Sequence, residues 1–125
     1  MTGYLTTLES VLAMEPAFRR VLATGSHSQL VAMTLSPHEE IGAEVHDHGD
    51  QMFLVVAGWQ VEITIGDEIH ECSTGSVAVV PAGVRHNVLN RGDIPAVVLT
   101  VYAPPEHADG IVALTRQDAE HGQHH

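Results

Sequence analysis

The sequence predicts an all-β barrel or sandwich led by one short helix, and three observations carry that prediction. Val, Ile and Thr recur in short runs that alternate apolar and polar residues, Gly or Pro punctuates at close intervals, and helical spacing is found at the N-terminus. There Thr6-x-x-Glu9 reads as a capping box, Leu5, Leu8 and Leu12 fall on one helical face, and Pro16 predicts the stop. Candidate strands follow at 18–23, 29–35, 41–48, 52–57, 59–65, 68–72, 76–80, 86–89 and 96–102, with a short one at 111–114. Many short strands at even spacing are the pattern of a sandwich or barrel, and a jelly-roll barrel is one of the standard solutions. Gly66-Asp67 separates two alternating runs and predicts a hairpin, while Pro104-Pro105 ends the last long strand because proline cannot donate to a ladder. Trp59, next to Gly58, reads as a packed turn residue.

The 125 residues fit one domain, residues 1–125, with a core over about 18–115 and a polar tail expected to fray from about residue 117. The tail carries His121, His124 and His125, a cluster able to pick up metal adventitiously. A hydrophobic content of 44% argues against disorder. The formal charge is −11, and the chain has five arginines and no lysine. A field of that sign repels phosphate backbones, so no nucleic-acid partner is expected. Without lysine there is no Schiff-base catalysis. Met52–Gly58 and Val77–Val84 are too short to cross a bilayer, so no membrane partner is expected. Cys72 is the single cysteine, and the first residues lack a basic region before an apolar run; a cytoplasmic setting is the expectation.

Function concentrates in two segments. His46 and His48 are one residue apart, and strand alternation would aim both imidazoles at one point. Pro81, Gly83 and His86 form a rigid turn that can bring a third histidine to it. Imidazole suits zinc, copper, iron and nickel, and manganese where oxygen ligands join. Glu44 shares the histidine face and is a candidate base, a ligand or a rim carboxylate. Gly49-Asp50 can form a bulge that re-aims Gln51, which is either a ligand or a hydrogen-bonding support to a ligand histidine. Tyr102 is a candidate for the cavity wall or for packing.

These segments resemble the two motifs of the cupin superfamily. The first runs Gly, five residues, His-x-His, a few residues, Glu, six residues, Gly. Here three residues separate Gly42 from His46, Gln51 stands at the Glu position, and Gly58 closes at the expected distance. The second runs Gly, five residues, Pro-x-Gly, two residues, His, three residues, Asn, and Gly75, Pro81, Gly83, His86 and Asn90 fit it throughout. The Arg-Arg-Val-Leu entry, the Asp-Gln pair and the segment from Tyr102 to His107 are similar to small single-domain cupins labelled mannose-6-phosphate isomerase-like. The resemblance implies a double-stranded β-helix and one divalent transition metal (Mn, Fe, Ni or Zn). It carries ligation onto His46, His48 and His86, with Gln51 as the fourth ligand.

The expected function is a metal-dependent enzyme, of isomerase or oxygenase type, on a small organic acid or sugar-like metabolite. The alternatives are a non-catalytic binding barrel and a structural metal site. A phosphomonoester is disfavoured. Only Arg85 and Arg91 lie near the second motif, Arg85 adjoins His86 and so faces the other way, and the net charge slows a dianion. A single barrel of this kind exposes sheet edges, so a homodimer is the default expectation.

Overall fold

The computed structural model describes residues 2–122, and the histidines at 124 and 125 lie outside that range. The order of elements is α1 (Leu8–Ala13), β1 (Arg19–Thr24), β2 (Gln29–Leu35), β3 (Asp50–Ala57), β4 (Val61–Ile65), β5 (Glu68–Cys72), β6 (Val77–Val80), β7 (His86–Asn90), β8 (Ala96–Ala103), β9 (Val112–Ala113) and α2 (Arg116–Gly122). Helix α1 is capped by Thr7 rather than by Thr6: the Thr7 side chain accepts from the Ser10 amide, so the cap sits one residue later than the Thr6–Glu9 box suggests.

The strands form two antiparallel sheets. One has the order β6-β3-β8-β2-β1-β9, the other β5-β4-β7. Alternation fixes what faces inward. In the larger sheet Val31 pairs with Thr100, which pairs with Phe53, and Met33 pairs with Val98, which pairs with Val55. From the smaller sheet Val61, Ile63 and Val88 complete an apolar interior. The next rung up is polar: Gln29 pairs with Tyr102, which pairs with Gln51. The interior is therefore apolar at one end and carries buried amide and phenol groups at the other.

The expected strand at 41–48 is not a regular strand. Segment 38–46 runs beside β7 as an interrupted ladder with isolated bridges Glu40–Leu89 and Glu44–His86. Gly42, at φ 105°, breaks its regularity. A bulky side chain there would collide with the Arg116 guanidinium, whose Nη2 lies 2.7 Å from the site of an added Cβ. Residues 47 and 48 then form a turn into β3.

Of the tail expected to fray from about 117, the part up to residue 122 forms α2, and residues 123–125 lie outside the described residues. The Thr115 hydroxyl accepts from the Asp118 amide, satisfying one orphan donor of the first turn, and Ala119 joins the core. Trp59 is exposed rather than packed. No helix among the described residues is long and apolar enough to cross a membrane.

Asn90 ends β7 and locks the closed end of the barrel. Its amide donates to the carbonyls of Leu35 (3.0 Å) and Ile94 (2.8 Å), and its Oδ1 accepts from the Gly92 amide at 2.9 Å. With the side chain 1% exposed, truncation strands several buried groups away from water. Asn90→Ala is expected to lower the unfolding free energy by about 3 kcal/mol in urea titrations with an unchanged m-value. A loss below about 0.5 kcal/mol would show that water replaces the side chain freely.

Candidate metal centre

Two imidazoles are fixed by their Nδ1 sides. His86 opens β7, directly after the Pro81–Val84 turn, and its Nδ1 lies 3.0 Å from the Val84 carbonyl, which can only accept. The proton is therefore on Nδ1, and Nε2 carries a lone pair. His46 is placed by the Gly83 amide, which donates to the His46 carbonyl at 2.9 Å. Its Nδ1 faces Glu106 Oε1 at 3.5 Å, a contact that favours the same tautomer. The two rings stand 5.3 Å apart between centroids.

Glu44 joins them through its bridge to His86, with hydrogen bonds in both directions between the two backbones (2.9 and 3.0 Å). One ligand atom each from Glu44, His46 and His86 lies within 4.8 Å of the others. Gln51 sits in the polar rung, 2% exposed. Its Nε2 donates to the Thr100 hydroxyl at 3.0 Å, which leaves Oε1 as an acceptor.

The donor set fits a cation. Glu44 Oε1, His46 Nε2, Gln51 Oε1 and His86 Nε2 are buried without a hydrogen-bond partner among the described residues. All four are lone-pair atoms, and an acceptor cannot satisfy another acceptor. The closest approach between Glu44 and His46, 3.9 Å from Oε2 to Nε2, is too long for a hydrogen bond. Buried polar atoms are ordinarily paired, so several orphaned acceptors of one kind together point to a positive guest.

His48 is outside this group. It is exposed in the turn over 47–48, because the chain leaves its extended path one residue after His46. The pair that alternation turns inward is Glu44-x-His46, the same spacing displaced by two residues. Glu44, read as a candidate base among other roles, sits with the histidine nitrogens.

Of the supporting residues, the sequence marks Tyr102 as a wall or packing candidate but assigns no role to Gln29, Glu106 or His107. Gln29 is 1% exposed and pins the 106–107 loop: its Oε1 accepts from the amides of Glu106 (3.2 Å) and His107 (3.0 Å), and its Nε2 donates to the His107 carbonyl at 2.7 Å. That loop delivers Glu106 to His46. Tyr102 packs edge-on against His46 at 5.7 Å and against His107 at 5.0 Å. Burial pushes the Tyr102 phenol well above its ordinary range, so it stays protonated. His107 is pulled down to about 4, first by burial and then by the Arg19 charge, and it is neutral at physiological pH.

Comparison with known proteins agrees with this fold. Residues 31–102 match the family model described as Cupin domain. The chain is 37% identical over 108 residues to the uncharacterized protein YrkC of Bacillus subtilis, an alignment covering 82% of this chain and 58% of the relative; the chain thus spans little over half of that protein's length. The crystal structure of BH2720 from Bacillus halodurans superposes with a TM-score of 0.91 at 31% identity, covering 97% of this chain and 95% of that one. An uncharacterized Klebsiella pneumoniae protein with a double-stranded β-helix domain superposes with a TM-score of 0.70 at 23% identity, covering 90% of this chain and 99% of that one, a likeness of fold alone. These matches give only loose support to the narrower isomerase-like grouping. With residues 31–102 matching the family model and the double-stranded β-helix formed, the chain belongs to the cupin family.

Proposed function

We propose that this cupin holds one divalent transition metal (manganese, iron, nickel or zinc) through Glu44, His46 and His86, with Gln51 as the fourth donor, and uses it in isomerase- or oxygenase-type chemistry on a small organic acid or sugar-like metabolite. One observation carries the reading: four buried lone-pair atoms, from segment 38–46, β3 and β7, have no hydrogen-bond partner among the described residues. A bound ion would act as a Lewis acid on a substrate oxygen.

The chain's own residues have defined tasks. The Val84 carbonyl and Glu106 hold the Nδ1 sides of the two histidines, leaving both Nε2 atoms bare. Thr100 orients the Gln51 amide. Tyr102, buried and holding its proton at neutral pH, walls the site and can offer its O–H as a hydrogen-bond donor. A barrel that captures a metabolite without turnover would use the same donors. Turnover separates the two readings, and none by the metal-loaded chain on any tested organic acid or sugar favours capture.

Metal content tests the donor set. In a chain whose histidines at 121, 124 and 125 are replaced by glutamine, elemental analysis is expected to find one ion per chain, and His86→Ala to find none. Glu44→Gln is expected to weaken the affinity by more than the ~10–100-fold typical of a lost outer support, while His48→Ala leaves it unchanged. The reverse pattern, with His48 essential and Glu44 dispensable, would return the site to the histidine pair.

We also propose a cytoplasmic homodimer. β6 is an edge strand, and Val77, Val79 and Met52 are exposed on the outer face of the β6–β3 pair. Leu54, Leu99 and Val101 continue that face across β3 and β8. Light scattering should give twice the chain mass, and Val79→Glu should halve it; a monomeric wild type contradicts the proposal.

A further inference from the structure

Of the five arginines, Arg19 alone is buried, at 4% exposure. It projects inward from β1 beside Val21. Guanidinium does not lose its proton in a protein, and a buried charge is expensive unless it is paired. Yet the Arg19 side chain has no hydrogen bond or ion pair among the described residues, and its Nε is a buried donor without an acceptor. Its one side-chain contact of note is the Phe18 ring, 5.5 Å from the guanidinium carbon to the centroid.

None of the neighbouring carboxylates pairs with Arg19 among the described residues. Glu40 accepts from Asn87 at 3.3 Å, Glu120 pairs with Arg116 at 3.3 Å, and Glu44 belongs to the group with His46 and His86. Arg19 and Glu44 line the same open cleft, of about 270 Å³. The Arg19 charge reaches Tyr102 and His107, the ring beside His46 and the ring behind it. The molecule thus places a buried donor with no acceptor at the edge of a cluster of acceptors with no donor.

We propose that Arg19 is the residue that recognises the ligand, and that it does so through a carboxylate, so that the chain's small molecule is a carboxylic acid rather than a neutral sugar. This rests on the proposed function in placing that molecule at the Glu44–His46–His86 group. The guanidinium fork matches a carboxylate through two parallel hydrogen bonds. A phosphate dianion meets the same fork, but the cleft sets three carboxylates (Glu40, Glu44 and Glu120) against Arg19 and an Arg116 already paired with Glu120, and in a chain of charge −11 that disfavours a doubly charged guest. An acid with an oxygen next to its carboxylate, such as a 2-hydroxy or 2-oxo acid, would engage Arg19 with one end and reach with the other toward Glu44, the one proposed metal donor that lines the cleft.

The test uses lactate and its neutral isostere lactamide. Binding to the full chain is measured by isothermal titration, once with zinc added and once after EDTA treatment. Wild type is expected to bind lactate at least about tenfold more tightly than lactamide, and Arg19→Met to abolish that preference while metal content stays unchanged. Arg19→Met should also melt no lower than wild type without ligand, since it removes an unpaired buried charge. Equal binding of lactate and lactamide by wild type, or an unchanged preference in Arg19→Met, overturns the proposal. So does a variant that melts lower and loses both ligands together, the pattern of a structural arginine. Inorganic phosphate that displaces lactate at equal concentration would overturn the choice of carboxylate. Should the zinc arm bind no metal while the EDTA arm keeps the Arg19-dependent preference, the metal reading fails and the carboxylate reading stands.

Discussion

The structure depends most on where two protons sit. The Val84 carbonyl and the Glu106 carboxylate take the Nδ1 sides of His86 and His46, and each imidazole is left with a lone pair aimed into the barrel. Glu44 and Gln51 add two more acceptors. No rearrangement of side-chain hydrogen bonds among those four atoms can satisfy them, because all accept. The barrel end is therefore a concentration of electron pairs held in a largely buried space, and only a cation or a set of protons relieves it.

The fold makes this possible by grading its interior. Successive rungs across β2, β8 and β3 pass from Met33, Val98 and Val55, through Val31, Thr100 and Phe53, to Gln29, Tyr102 and Gln51. The apolar rungs supply the burial that holds the barrel closed. The polar rung spends its hydrogen bonds on positioning. Gln29 fixes the loop that carries Glu106, and Gln51 is oriented by Thr100. Asp50 ties the start of β3 to the turn before β7 by accepting from the Ala82 amide at 3.0 Å. The two motif segments are thus bound to each other directly, beside the residues they deliver.

Much of this was legible in the sequence. Alternating runs gave strands that match β2 and β5 residue for residue and the others to within two residues, because period-two patterning survives wherever one face is buried. The Pro81–Gly83–His86 turn was readable because proline and glycine restrict the backbone whatever surrounds them; Gly83 takes φ 82°. The exception was segment 41–48. Asp47, Gly49 and Asp50 are turn formers, a signal that competes with the strand spacing of the two histidines. Turn chemistry prevailed, so the alternating pair moved from His46 and His48 to Glu44 and His46. Arg19 was invisible for another reason. Adjacent arginines on a strand must send one side chain inward, but which one depends on register with β2, and register is a tertiary property.

The most direct test of the central claim is anomalous diffraction from crystals grown with manganese or zinc. The account predicts one strong peak at about 2.0–2.3 Å from a Glu44 carboxylate oxygen, His46 Nε2 and His86 Nε2, with His48 turned away in solvent. A peak on His48, or metal found only at the C-terminal histidines while the barrel interior stays empty, would contradict it.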